Sequence, residues 1–320
     1  MNISRGLAGY ARRPYPVLTI GNFDGQHLGH RALLEMVVRR ARDRQGTPVV
    51  LTFDPHPVKV LAPQVDLQFL TSKDEKLQRF EDAGVAEVVV LEFTAALAAR
   101  TPEQFVKEIL VDGIGVKELF VGEHFAFGKG RAGRIADLQR YGVQWGFDVH
   151  PIVPVPIDGR VVSSTVIRSQ IQRGDVREAA RGLGRGYTLG GTVIRGQQRG
   201  TAMGWPTANL ALPAGRVIPS DGVYATQLHW KEGAYDSVSY IGTRPTFGAG
   251  ERLLEVYLLD TAIDLYGQPV AVTFIDRLRG DMAFDSPAAL SAQIQSDVER
   301  AREALRAWPA SLAPAGGRAS

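Results

Sequence analysis

The sequence predicts a two-part α/β protein: an N-terminal half built on a parallel sheet, then a small antiparallel β-barrel with a C-terminal helix. Short apolar runs alternate with amphipathic segments over residues 15 to about 160, as they do in βαβ units. From Tyr187 to about Leu278, short strand-like runs are instead broken by Gly and Pro, which is typical of an antiparallel barrel. A length of 320 residues also favours about two domains.

The first half contains short, almost continuously apolar runs, as expected for strands that are buried on both faces. Between two of them, Leu33, Val37 and Ala41 recur every four residues, which predicts an amphipathic helix. Ser72 and Thr101 each stand three residues before a Glu or Gln, so we expect capping boxes and helix starts there. The predicted strands are residues 17–20, 49–53, 88–91, 119–121 and 149–155.

The second half ends in a helix that Ser286 and Pro287 open. Leu290 and Val298 belong to its predicted apolar face, and Asp297 is expected on the outside. The predicted barrel strands are residues 188–194, 222–229, 237–241, 253–259 and 270–274. The predicted domains are residues 15–184 and 185–308, followed by a flexible tail over 309–320.

The composition is ordinary for a globular protein, with 44% hydrophobic and 22% charged residues. The absence of cysteine excludes disulfides, thiolate metal sites and cysteine nucleophiles. A formal charge of only +3 does not indicate a nucleic-acid partner. No apolar stretch approaches the roughly 20 residues of a membrane span, and the N-terminus has no apolar signal core. We therefore expect a cytoplasmic protein without membrane or nucleic-acid partners.

Residues 21–30 read G-N-F-D-G-Q-H-L-G-H at the junction of the first strand and the first helix. A helix N-terminus at the carboxyl end of a parallel strand suits phosphate binding. His27 and His30 are three residues apart, so they share a face where they could stabilise charge on phosphates. A capped turn with two surface histidines, or a zinc pair lacking an evident third ligand, remains open.

Two features of the second half also suggest chemistry. Residues 204–209 read G-W-P-T-A-N, a tight loop whose Thr207 hydroxyl could ligate Mg²⁺ beside phosphates, although a simple β-turn remains open. Glu255 is the one carboxylate in the apolar run 253–259. It either faces solvent on a half-exposed strand or points into a site.

Together these strings resemble the bifunctional bacterial riboflavin kinase/FMN adenylyltransferase family, also called FAD synthetases. Further strings in the first half resemble the family in order: T-F-D-P-H-P over 52–57, G-E-H-F-A-F-G over 122–128 and S-S-T-V-I-R over 163–168. In the second half, residues 199–209 resemble the kinase signature, as do segments 241–248 and 254–260. The departures from the family pattern are Thr201 for a basic residue, Trp205 for Phe and Asp281 for Glu.

The resemblance implies a Rossmann-like nucleotidyltransferase sheet and a riboflavin kinase barrel, which act on ATP, riboflavin, FMN and FAD with Mg²⁺. It implies that Glu255 is the kinase base and that His27 and His30 are catalytic in adenylyl transfer. The implied ATP contacts are Gly21, Asn22, Phe23, Asp24, Gly25, His27, His30, Ser164, Thr165, Arg168, Gly191, Gly196 and Thr207. The implied flavin contacts are Asn209, His56, Pro57, Arg279 and Phe284, and the implied metal ligands are Thr207 and Asn209.

Residues 128–133 read G-K-G-R-A-G and fit the dinucleotide pattern G-x-G-x-x-G. Residues 124–127 separate them from the preceding strand, so we favour a mobile loop near the ATP phosphates. No P-loop motif occurs, which excludes a P-loop kinase. A nicotinamide- or flavin-dependent oxidoreductase, a non-enzymatic flavin or nucleic-acid binder, and an enzyme with only one active site are the alternatives.

Overall fold

The structure of the protein, a computed structural model, divides into two compact units, Met1–Val162 and Ser163–Ser320. The described residues are 1–153, 156, 159, 161–195, 204–231, 233–243 and 252–312. The sequence-based boundary near residue 185 remains a prediction, and the two helices that precede it group with the second unit.

The first unit is built on a parallel six-stranded sheet, and the predicted fold class is confirmed. Its strands are β1 (Asn2–Arg5), β2 (Pro16–Ile20), β3 (Thr47–Phe53), β4 (Glu87–Leu91), β5 (Glu118–Gly122) and β6 (Asp148–Ile152). Its helices are α1 (Leu28–Asp43), α2 (Pro57–Leu61), α3 (Lys73–Asp82), α4 (Ala95–Ala98), α5 (Pro102–Gln104), which continues as a π-helix (Phe105–Ile114), and α6 (Ile135–Trp145).

Helices cover both faces of this sheet, which explains the almost continuous apolar runs of its strands. Leu18 of β2 packs on one face with Ile109 of the π-helix. Its neighbour Val17 packs on the other face with Leu34 of α1 and Phe80 of α3. The strand order is β1-β4-β3-β2-β5-β6. The order therefore changes direction at β2, where open α/β sheets bind their ligands.

Glu118, a buried carboxylate at the start of β5, anchors the C-terminal end of α1. Its oxygens accept hydrogen bonds from Arg40 Nε at 2.7 Å, from Arg44 Nε at 3.0 Å and from the Tyr15 hydroxyl at 3.0 Å. Burial alone would raise the pKa of Glu118, but the hydrogen bonds from Arg40 and Tyr15 hold it below its usual value. The helix that begins beside His27 is therefore fixed at its far end.

The second unit is a closed antiparallel barrel with helices at both ends of its sequence. Its strands are β7 (Tyr187–Ile194), β8 (Ala208–Ala211), β9 (Gly222–Trp230), β10 (Gly233–Thr243), β11 (Arg252–Leu258) and β12 (Pro269–Arg279). Its helices are α7 (Ser164–Arg173), α8 (Val176–Leu183) and α9 (Pro287–Arg306). The closed order is β10-β11-β8-β7-β12-β9.

The C-terminal helix α9 packs on the outer wall of the barrel. Its N-cap is Ser286, as predicted, and its Val298 and Ala301 are buried against Val223 and Ala225 of β9. The prediction that Asp297 lies outside was wrong, since Asp297 is 1% exposed. Within the described part of the chain, no helix combines the length and apolarity that crossing a membrane requires.

Candidate active sites

The signature segment 21–30 joins β2 to α1 at the carboxyl edge of the parallel sheet. Its backbone is unusual, because Phe23, Gly25 and Gln26 have φ angles of 51°, 77° and 38°. Side chains of L-residues rarely tolerate this region. Phe23 and Gln26 are nevertheless almost fully buried, each 2% exposed. The turn therefore has a defined shape that its surroundings hold in place.

The two predicted catalytic histidines lie together where α1 begins. Their rings stack with centroids 3.8 Å apart, and Nδ1 of His27 accepts a hydrogen bond from the backbone N–H of His30 at 3.4 Å. Burial, and then the neighbouring His27, lower the pKa of His30 well below its usual value. His30 is therefore neutral at pH 7.

Two buried polar atoms in this turn have no hydrogen-bond partner among the described residues: Nδ1 of His30 and Oδ1 of Asn22. Buried polar atoms are normally paired, because an unpaired one costs free energy. A ligand with hydrogen-bonding groups would supply the missing partners. This observation distinguishes the turn from the alternative of a capped turn with two surface histidines.

Asp24 and Gly25 are tied to a segment that the sequence analysis did not single out. The Oδ1 atom of Asp24 accepts hydrogen bonds from the backbone N–H groups of Leu70 at 2.9 Å and Thr71 at 3.2 Å. The N–H of Gly25 donates to Oγ1 of Thr71 at 3.2 Å. Asp24 thus has contacts inside the protein, and its assignment to ATP binding stays a prediction.

Lys76 of α3 is a second contact that sequence reasoning missed. Its Nζ lies 3.5 Å from the carbonyl oxygen of Asn22 and 3.4 Å from Oγ1 of Thr52, while its own carbonyl accepts from Nε2 of Gln26 at 2.8 Å. Burial lowers the pKa of Lys76, and Asp24 opposes that shift. Lys76 belongs to no motif, so its place beside the turn emerges only from the fold.

His56 and Pro57, the predicted flavin contacts of this unit, follow the end of β3 after two intervening residues. Nδ1 of His56 accepts a hydrogen bond from the N–H of Val58 at 3.1 Å and so caps α2. The His56 ring lies 5.8 Å from that of Phe69. Because β2 and β3 are parallel neighbours, these residues lie at the same sheet edge as Gly21, which follows β2.

Two glycines of the pattern over 128–133, Gly128 and Gly133, permit close packing. Phe127 and Gly133 form an antiparallel bridge, and a Cβ atom on Gly133 would lie 2.7 Å from the Phe127 ring. A Cβ atom on Gly128 would lie 2.7 Å from the backbone nitrogen of Pro102. This arrangement differs from a dinucleotide-binding turn, which connects a strand directly to a helix.

The predicted triphosphate residues of the second unit stand at the start of α7. Ser163 is the N-cap, and its Oγ accepts a hydrogen bond from the N–H of Val166 at 3.3 Å. Ser164 and Thr165 occupy the first helical turn, and Arg168 follows in the next. Their contact with ATP stays a prediction.

The strand register of the barrel brings three predicted kinase residues into one row. Asn209 pairs with Glu255, Glu255 with Tyr240, Tyr240 with Val223, and Val223 with Arg279. Directly paired residues share a face of a sheet. Val223 and Tyr240 belong to the cluster beneath α9, so this row lies on the outer wall. These five residues, Asn209, Glu255, Tyr240, Val223 and Arg279, form the outer row.

The outer row combines a carboxylate with buried polar atoms. Oδ1 of Asn209 is buried with no hydrogen-bond partner among the described residues, and its Nδ2 donates to the carbonyl of Thr207 at 3.4 Å. The Tyr240 hydroxyl donates to Oδ1 of Asp281 at 3.2 Å. Burial and then the charge of Asp281 raise the pKa of Tyr240 to about 12, with Glu255 contributing in the same direction. Sequence reasoning missed Tyr240, because only the register places it beside Glu255.

Arg279, a predicted flavin contact, forms an ion pair with Asp297. Arg279 Nη2 lies 2.9 Å from Oδ2 of Asp297, and Nε lies 3.0 Å and 3.2 Å from its two oxygens. The guanidinium also lies 5.6 Å from the centre of the Phe284 ring. This ion pair compensates the charge of the buried Asp297. It also holds Arg279 beside Phe284, the other predicted flavin contact of this segment.

The remaining kinase residues lie around β7 and β8. Thr207 directly precedes β8, and a Cβ atom on Gly191 would lie 3.2 Å from the carbonyl oxygen of Ala211, so the glycine permits close strand approach. Trp205 donates to Oγ of Ser291 at 3.1 Å, which ties this loop to α9. Gly196 and the signature residues 199–203 and 244–248 lie outside the described residues.

The chain matches two family descriptions in succession, "FAD synthetase" over residues 11–166 and "Riboflavin kinase" over residues 183–305. It is 38% identical over 306 residues to the bifunctional riboflavin kinase/FMN adenylyltransferase of Escherichia coli (strain K12), covering 95% of this chain and 97% of that protein. A protein of the same name from Pseudomonas fluorescens is 39% identical over 287 residues, covering 89% and 92%. The crystal structure of a protein described as a macrolide-efflux protein from Streptococcus pneumoniae has a TM-score of 0.86 at 29% identity, covering 94% and 99%.

Proposed function

The chain belongs to the family of bifunctional riboflavin kinase/FMN adenylyltransferases, and from this premise we propose which residues carry its two reactions. The enzyme phosphorylates riboflavin to FMN with ATP. It then transfers the adenylyl group of a second ATP to FMN, which gives FAD and pyrophosphate. The observation that carries this function is the match of both halves of the chain, in order, to the two enzyme families.

In the kinase reaction, Glu255 accepts the proton of the ribityl 5′-hydroxyl as that oxygen attacks the γ-phosphorus of ATP. Glu255 is suited to this role because it lies in the outer row directly opposite Asn209. Arg279 and Phe284 line the flavin side, and the ion pair with Asp297 holds the guanidinium in place. We assign Gly191 and Gly196 to contacts with ATP.

The family generally uses a divalent metal, and we assign Mg²⁺ to the kinase unit. The residues present fit it, because the Thr207 hydroxyl and the Oδ1 atom of Asn209, which is buried and has no partner within the described part of the chain, are oxygen donors of the kind that Mg²⁺ prefers. Among the described residues no group of three or more His, Asp or Glu side chains could hold a metal ion. Phosphate oxygens and water would complete the coordination. When bound, the ion would neutralise charge on the transferred phosphoryl group.

In adenylyl transfer, a phosphate oxygen of FMN attacks the α-phosphorus of ATP and pyrophosphate leaves. The stacked pair His27 and His30 stabilises the charge that develops on the phosphates. Gly21, Asn22 and Phe23 shape the nucleotide side of the turn, and Ser164, Thr165 and Arg168 hold the triphosphate. His56 and Pro57 contact the flavin. No covalent intermediate is needed, because positioning and electrostatics carry the reaction.

Incubation of the protein with riboflavin, ATP and Mg²⁺, followed by chromatography, tests this function. FMN should form first and FAD after it, and both should depend on ATP. NAD(P)H consumption without ATP-dependent loss of riboflavin would instead indicate the oxidoreductase alternative. A cytoplasmic location, where ATP is available, is part of the proposal.

A further inference from the structure

The signature turn has a backbone that its own residues do not favour. Phe23 and Gln26 are not glycines, yet both have positive φ angles, 51° and 38°. Such conformations persist only where the surrounding structure determines them. Because the turn leads directly into His27 and the start of α1, whatever holds it also sets the position of the histidine pair.

Thr71 is at the centre of the contacts that hold the turn. Its hydroxyl accepts a hydrogen bond from the N–H of Gly25 at 3.2 Å and donates to Oδ1 of Asp24 at 3.4 Å. Its backbone N–H donates to the same oxygen at 3.2 Å. Thr71 is 7% exposed and Asp24 is 6% exposed, so these bonds are shielded from water. One side chain thus joins two consecutive residues of the turn.

Thr71 is itself held firmly from the helix that follows it. The next residue, Ser72, is the N-cap of α3 and forms a complete capping box with Glu75. Oγ of Ser72 accepts from the N–H of Glu75 at 3.1 Å, and the N–H of Ser72 donates to Oε2 of Glu75 at 2.7 Å. One turn further on, the carbonyl of Lys76 accepts from Gln26 at 2.8 Å. A residue that positions others must itself be held in place, and the start of α3 holds Thr71 in this way.

We propose that Thr71 is a positioning residue for adenylyl transfer, whose hydroxyl holds the signature turn so that His27 and His30 meet the phosphates correctly. Within the protein, the N–H of Gly25 donates a hydrogen bond to this hydroxyl. The inference rests on the proposed adenylyltransferase function, and it adds a residue that lies outside every motif of the sequence. Thr71 acts through Asp24 and Gly25 and does not touch the substrate.

Thr71→Val tests the proposal, because valine keeps the shape of threonine and removes only the hydroxyl. The buried hydrogen bond between the N–H of Gly25 and the Thr71 hydroxyl would then be lost, so we expect kcat for FAD formation to fall about tenfold. The KM for FMN should stay unchanged. FMN formation by the kinase unit of the same sample is the internal reference. Thr71→Ser, which retains the hydroxyl, should restore FAD formation to within about twofold of the unmodified protein.

Thr94→Val is the matched control. The Thr94 hydroxyl also accepts one backbone N–H, that of Leu97 at 3.1 Å, but it caps α4 and contacts no residue of the signature turn in the described structure. Thr94→Val should lower stability without changing the ratio of FAD to FMN formation. Amide hydrogen exchange gives a readout besides activity: the Gly25 N–H should exchange faster in Thr71→Val than in Thr71→Ser.

The outcomes distinguish a positioning role of Thr71 from a general effect on protein stability. Equal rate ratios in Thr71→Val and Thr94→Val would overturn the proposal, as would a Thr71→Ser variant as impaired as Thr71→Val. If Thr71→Val does not fold, Thr71→Ala removes the same hydroxyl with a smaller side chain in its place and carries the same expectation. If the unmodified protein makes FMN but no FAD, the adenylyltransferase function fails, while Gly25 exchange still reports whether the Thr71 contact exists.

Discussion

Replacing Asp297 with alanine removes the carboxylate that pairs with the mostly buried guanidinium of Arg279. The side chains of Arg279 and Asp297 are 13% and 2% exposed, and three nitrogen–oxygen distances between them lie between 2.9 Å and 3.2 Å. Gln293 donates to the same carboxylate at 3.0 Å. Asp297→Ala would leave the charge of the mostly buried Arg279 without its counter-ion, and breaking a buried pair in this way typically costs about 3–5 kcal/mol.

The assay is thermal or urea unfolding of the full chain, followed by tryptophan fluorescence. Three of the four tryptophans, Trp205, Trp230 and Trp308, belong to the second unit, so the signal reports mainly on that unit. For a unit of this size, the expected loss corresponds to a fall in Tm of roughly 6–20 °C. The kinase rate should fall together with stability, because Arg279 would lose its fixed position beside Phe284.

Asp260→Ala is the matched control, because Asp260 also forms a two-pronged pair with an arginine of α9, Arg302, at 2.6 Å and 2.7 Å. Those side chains are 71% and 42% exposed, so solvent screens the pair and little change in Tm is expected. Replacing both Asp297 and Arg279, with leucine and methionine, should recover most of the stability but not the kinase activity. If Asp297→Ala were as stable as Asp260→Ala, the reasoning from burial would be refuted.

The other predictions concern His30 and Glu255. His30→Ala should lower FAD formation by about 100-fold or more and spare FMN formation, and loss of both activities in a folded protein would contradict separate sites. Glu255→Gln should do the reverse, with kinase kcat down by about 100-fold, which steady-state rates of FMN formation would check. Because the folded pKa of His30 lies below its usual 6.5, the unfolded chain binds the proton more readily. The free energy of unfolding should therefore fall as pH drops through about 6.5, and it should fall less in His30→Gln. Urea unfolding at pH 7.5 and at pH 5 measures this. An equal shift of the urea midpoint in both proteins would disprove it.

The sheet and most of the barrel could be predicted because their strands carry local signals. Short, almost continuously apolar runs predicted β2 to β6, and Ser72, Thr101 and Ser286 predicted helix starts that the structure confirms. β1 and β8 escaped prediction. Each is four residues long and depends on a distant partner, β4 for β1 and β11 for β8. Such short segments have too little pattern of their own to indicate a strand.

Within the sites, motif residues could be predicted and their supports could not. The turn over 21–30 and the carboxylate of Glu255 stand out in the sequence. Thr71, Lys76 and Tyr240 do not, because their roles come from contacts across many residues of chain. Helical periodicity alone places Asp297 on the solvent side of its helix, because it carries no information about Arg279 on the facing strand. A polar residue is buried where the fold brings it a partner, so its position cannot be predicted from its own helix or strand alone.

The outer row also limits how this chain can change length during evolution. Its members come from five strands, and each meets its neighbour only through strand register. Removing a single residue from the middle of β10 or β11 would turn every following side chain of that strand to the opposite face. Glu255 or Tyr240 would then leave the wall that α9 covers. Homologous chains should therefore gain and lose residues in the turns of this barrel and keep constant spacing within its strands.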